Sequence, residues 1–151
     1  MLYNTLKFLH ILLAILAVGF SMTFGLILSR AEKADKDGRE LKFALQTVRF
    51  MSMIANVCFV LLVVVGVGLV QLGGFTWAPM WIHGSAGLFL IGFSIGIFIL
   101  GPMGRRRLKI LESRGPSDPE FIKLSKRSAM LGALAGLITL VIIWLMVAKP
   151  V

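Results

Sequence analysis

Four uninterrupted apolar stretches, at residues 8–28, 50–72, 81–100 and 129–148, leave this chain few ways to fold. Each reaches the ~20 helical residues that cross a hydrocarbon core about 30 Å thick. None contains an aspartate or glutamate; all seven acids (Glu32, Asp35, Asp37, Glu40, Glu112, Asp118 and Glu120) fall between them. Backbone in hydrocarbon must satisfy its own hydrogen bonds, so spanning segments are helices or closed barrels. The runs are rich in Leu, Ile, Val, Phe and Met without period-two alternation, which argues against a barrel. Composition agrees, with 58% hydrophobic and 15% charged residues. A soluble domain averages roughly 45–50% and about 25%, so too little polar surface exists to cover a water-exposed globule. The expectation is an all-α, four-helix transmembrane bundle, with residues 1–151 forming a single integral membrane domain.

A net charge of +9 would, taken alone, suggest a nucleic-acid partner. Its distribution removes that reading. Five basic residues (Arg30, Lys33, Lys36, Arg39, Lys42) lie in the first loop and eight (Arg105, Arg106, Arg107, Lys109, Arg114, Lys123, Lys126, Arg127) in the third, while residues 73–80 carry none. Lys and Arg in short loops mark the cytoplasmic side. Loops one and three are therefore expected in the cytoplasm, with both termini on the outer side of the inner (plasma) membrane. Trp77, Trp81 and Trp144 would sit near the outer interface, where indoles settle. The first run, 21 residues long, exceeds the roughly 7–15 apolar residues of a signal peptide, so it is read as a retained helix.

The third loop has the marks of structure. Leu108, Leu111, Phe121, Ile122 and Leu124 stand among its charges, and Gly115-Pro116-Ser117-Asp118-Pro119 is a turn cluster. These predict a short amphipathic cytoplasmic extension of the third helix, a turn, and a ramp into the fourth. The Arg105–Arg107 run could anchor topology or meet anionic lipid headgroups.

Helices in lipid gain no hydrophobic effect from touching, so small residues mark their contact faces. His10, Ala14, Ala17, Ser21 and Gly25 form one stripe on the first helix; Gly92 and Gly96, and Gly132 and Gly136, match G-x-x-x-G on the third and fourth. Cys58 is read as an apolar filler and Asn56 as an interhelical hydrogen-bonding group.

Ionisable residues within a span are costly and mark candidate sites. Only His10 and His83 qualify, each the third residue of its apolar run. Their helices run in the same direction, so the two imidazoles are expected at one depth in the outer leaflet. Imidazole is a good axial ligand for haem iron. His10 and His83 could bracket a non-covalent haem b, with Lys7 and Lys149 placed for its propionates. The plain alternative is two hydrogen-bonded interfacial histidines that match by chance. No intramembrane carboxylate is present to build a proton relay.

Lys7-Phe8-Leu9-His10-Ile11, followed by Ala17-Val18-Gly19, resembles the first helix of an uncharacterised group of bacterial four-span integral membrane proteins. More distantly, His10, Trp81-Ile82-His83 and Lys149-Pro150 resemble the HemJ-type protoporphyrinogen IX oxidases and the copper-resistance D membrane domains. The resemblance implies a four-helix membrane protein that binds haem b and oxidises protoporphyrinogen. Ser85 stands where the HemJ pattern has a lysine, and residues 25–30 read GLILSR where it has a Pro-Arg pair.

Two functions follow. One is a haem-b protein in electron transfer or an oxidase-like reaction. The other is a non-catalytic accessory subunit packed against membrane partners or further copies of itself. A copper site built on methionine finds little support, since Met51 and Met53 at i and i+2 do not share a helix face.

Overall fold

The computed structural model describes residues 1–34, 38–74 and 79–150. The described chain is helical throughout its elements: α1 (Leu2–Ala34), α2 (Arg39–Leu72), α3 (Met80–Ser94), a π-helical segment (Ile95–Leu100), α4 (Gly101–Arg114) and α5 (Pro119–Ala148). Four helices are long and apolar enough to cross a membrane, α3 and α4 forming one of them through the π segment. The all-α bundle expected from the apolar runs is thus observed. Trp77, Lys36, Asp35 and Asp37 lie outside the described residues.

The helices outrun the apolar stretches. At 1.5 Å per residue, the 33 residues of α1 and 34 of α2 reach about 50 Å. That exceeds a bilayer of about 40–45 Å including headgroups. The surplus lies mainly at the end where the basic loops gather, hereafter the basic end; the opposite end is the histidine end.

The expected extension after the third span is α4, and its geometry follows from local chemistry. Pro102 lacks an N–H and its ring crowds the carbonyl four residues earlier. The preceding turns widen accordingly, and the Gly101 N–H reaches back five residues to the Gly96 carbonyl. α4 stops at Gly115, whose φ of +85° suits a residue without a side chain. Asp118 then caps α5, its carboxylate accepting from the N–H groups of Glu120 (2.8 Å) and Phe121 (3.3 Å), with Pro119 at the first helical position.

α1 packs along α2 and α3 along α5; α5 also meets α1, and α4 meets α2. α2 and α3 touch through aromatic side chains: Phe59 meets Phe89 edge-on at 5.8 Å and Phe93 at 6.4 Å, and Phe89 stacks on Phe93. Among the described residues no Cα pair of α1 and α3 falls within 8 Å, so these two helices stand diagonally.

Buried apolar side chains form two clusters. Leu13 and Ala17 of α1 pack on Cys58 of α2; Cys58 is buried and unpaired, the filler expected of it. At the basic end, Leu41 and Leu45 meet Ile110, Leu111 and Phe121, with Leu28, Ala31, Leu108 and Leu124 around them. Of the small-residue stripes, Ala17 is fully buried, and Gly92 faces Ile138 closely enough that a Cβ there would lie 3.5 Å from it. Gly25, Gly96, Gly132 and Gly136 face no described atom within 4 Å of where a Cβ would stand. The helix contacts of the first and third stripes are therefore made at Ala17 and Gly92 and not at Gly25 and Gly96, and the pair on α5 faces no neighbour among the described residues. Nor does a hydrogen bond tie Asn56 to another helix among the described residues; Ala55 and Cys58 take the buried positions beside it.

Candidate functional site

At the histidine end the α1–α2 contact is built on glycine. A Cβ on Gly68 would lie 3.7 Å from Leu6, and one on Gly66 would lie 3.1 Å from Cε1 of His10 and 3.5 Å from its Nδ1. The half-buried imidazole therefore rests on the bare backbone of α2 at Gly66. Its Nδ1 is buried and lies close to the Leu62 backbone carbonyl of α2, without a hydrogen bond of good geometry. An ionisable imidazole in an apolar setting is costly, and such cost is characteristic of functional positions.

Gly66→Leu should drive His10 off this ledge. A Cβ at 3.1 Å already requires the ring to shift, and an isobutyl group fills the space the ring occupies. We expect at least about 2 kcal/mol of lost stability from overpacking, read as a lower unfolding midpoint in detergent. An unchanged midpoint would show that His10 is not held against α2.

His83 is placed differently. It is exposed on α3, while Ile82 (4% exposed) and Ser85 (2%) occupy the interior positions. The two histidines thus share an end of the bundle, on diagonal helices, but only His10 is turned inward. Ser85 was visible in the sequence as a departure from the HemJ pattern; its burial was not. Its Oγ is a buried polar atom without a hydrogen-bond partner. Lys7 is exposed on α1. Lys149 follows α5 in a left-handed conformation (φ 45°) and lies over the Trp81 ring, its Nζ 5.4 Å from the centroid, a cation–π contact.

For haem, His10 supplies what an axial ligand needs: an imidazole held by packing in the apolar part of the bundle. His83 is exposed on α3 and is not packed inside the bundle beside it. The fit is to one histidine, with Lys7 and Lys149 as cations at the same end. Among the described residues no three His, Cys, Asp or Glu side chains group as a metal site.

The basic end holds a site that residue counting missed. Arg107, expected among the loop cations, is 2% exposed. Its guanidinium pairs with Glu32 of α1, donates to Ser128 Oγ of α5 at 3.0 Å, and lies 5.3 Å from the centroid of the Phe121 ring. One side chain joins three helices. Its Nε has no partner. Around it, Lys42 pairs with Glu112 at 2.9 Å, and Glu120 takes both Arg106 and Arg114, the latter at 3.2 Å.

Four long apolar helices, with charge confined to the connections at one end and to the helix termini, define an integral membrane protein. Its sequence from residue 4 to 150 matches the model of the family described as "Predicted integral membrane protein (DUF2269)", and the chain belongs to that family. No curated protein and no solved structure matches it.

Proposed function

We propose that this protein holds a b-type haem in the outer half of the bundle through the His10 imidazole, and acts in electron transfer or an oxidase-like reaction. The observation that carries the proposal is the imidazole of His10, packed on Gly66 within a membrane span, its buried Nδ1 close to the Leu62 backbone carbonyl without a hydrogen bond of good geometry. Topology is part of the same reading. With Lys and Arg concentrated in loops one and three, the basic end faces the cytoplasm, and the histidine end and both termini face outward from the plasma membrane. Gly66 would fix the ring's orientation, and Lys7 and Lys149 would receive the carboxylates of the group. When bound, haem would supply one-electron redox chemistry.

The test is a reduced-minus-oxidised absorption spectrum of protein expressed with ample haem and purified in detergent. We expect a Soret band that is lost in His10→Ala and kept in His83→Ala. No band in the parent protein, or a band retained in His10→Ala, overturns the proposal.

One observation favours the accessory-subunit reading. Gly132 and Gly136 of α5 form a small-residue pair that nothing in this chain covers among the described residues, and such pairs let helix backbones approach closely. Haem-free protein that copurifies with a second membrane subunit in mild detergent would support that reading over haem binding.

A further inference from the structure

Between α4 and α5, beyond the apolar spans, lies a groove of about 210 Å³, lined by Arg106, Glu120, Lys123, Leu124 and Arg127. Three cations meet one carboxylate there, and that carboxylate is already engaged. Glu120 accepts from Arg106 and from Arg114. Lys123 and Arg127, one turn apart on α5, are exposed and take part in none of the ion pairs among the described residues. The groove therefore offers uncompensated positive charge, with Leu124 as an apolar wall.

Its depth identifies what would neutralise it. The third apolar run ends at residue 100 and the fourth begins at 129. At 1.5 Å per residue, Arg106 lies about 9 Å beyond one boundary, and Arg127 and Lys123 lie about 3 and 9 Å beyond the other. A headgroup layer occupies roughly 5–8 Å on each side of the hydrocarbon. Arg127 lies within that layer and Arg106 and Lys123 just beyond it, within reach of their long side chains, and lysine and arginine so close to the surface attract anionic lipid.

We propose that this groove binds the phosphate of an anionic phospholipid headgroup, held by Arg106, Lys123 and Arg127, with the acyl chains running up beside the apolar part of α5. The consecutive arginines at 105–107 are not the lipid contact as a set, because Arg107 is buried among α1, α4 and α5. The site is assembled from two helices.

Native mass spectrometry of the full chain in neutral detergent, titrated with phosphatidylglycerol or phosphatidylcholine, tests this. We expect phosphatidylglycerol adducts at roughly tenfold lower lipid concentration than phosphatidylcholine adducts. Lys123→Gln with Arg127→Gln should weaken the phosphatidylglycerol adduct about tenfold or more. Lys109→Gln with Lys126→Gln removes the same charge outside the groove and should change it less than about twofold. Single Lys123→Gln should give an intermediate loss, and keeps the proposal testable if the double variant does not fold. Equal binding of the two lipids, equal loss in both double variants, or no loss in the groove variant overturns the proposal. Displacement of the lipid by millimolar inorganic phosphate also overturns it, by assigning the groove to a soluble anion.

Discussion

Arg107→Ala should destabilise the protein by about 3 kcal/mol, and unfolding in detergent should show it as a midpoint lowered by several degrees. The magnitude follows from what the guanidinium holds. Removing one member of a buried pair costs roughly 3–5 kcal/mol when the other charge is left without solvent. Here the other charge is Glu32, whose side chain is 34% exposed, so water recovers part of it and the lower end applies. Ser128 Oγ keeps its own bond to the Ser125 carbonyl at 3.2 Å and adds little to the cost. Arg107→Met combined with Glu32→Gln should regain most of the loss, because it removes both charges and refills the space. A single Arg107→Ala variant as stable as the parent would show that the three-helix junction does not hold the bundle.

Phe121→Ala should cost about as much, roughly 3–5 kcal/mol, for a different reason. Phe121 is 3% exposed and packs in the cluster formed by Leu41, Leu45, Ile110 and Leu111. Its loss leaves a cavity among α2, α4 and α5 and uncovers the guanidinium of Arg107. The two substitutions share a contact, so their effects should not add. The double variant should be less destabilised than the sum by about 0.5–2 kcal/mol, the range for a desolvated cation–π pair. Strict additivity in that cycle would mean that ring and guanidinium are neighbours without energetic coupling.

The architecture was legible because hydrocarbon is a strict solvent. Four acid-free runs of membrane length admit few folds, and the apolar residues between Arg105 and Arg127 announced a packed extension. Rotation about each helix axis was harder to read. His10 and His83 are each third in their runs, yet Ile82 and Ser85, at i and i+3, set the inward face of α3 and leave His83 about 100° away from Ile82. Depth is a count along the chain, whereas facing depends on the neighbours. Arg107 shows the same limit in reverse. Three consecutive arginines cover most of a turn, so one of them must point inward if that helix packs. The readable signal was the i, i+3, i+4 spacing of Arg107, Ile110 and Leu111, which places the cation at the head of the buried stripe. The aromatic contact of Phe59 with Phe89 and Phe93 had no signal of its own, since phenylalanine also suits a lipid-facing position.

The distribution of buried side chains along the bundle has a mechanical meaning. Leu41, Leu45, Arg107, Ile110, Leu111, Phe121 and Ser125 crowd into the basic end, whereas Leu13, Ile82 and Ser85 are the buried residues nearest the histidine end. The hairpin of α1 and α2 and the pair α3 and α5 are therefore clasped at one end, like the arms of tweezers. Spreading the tips breaks few contacts, and spreading the base breaks the Glu32–Arg107–Ser128 junction and the apolar cluster beside it. The tips, where His10 and Ser85 lie, are held by fewer buried side chains than the base.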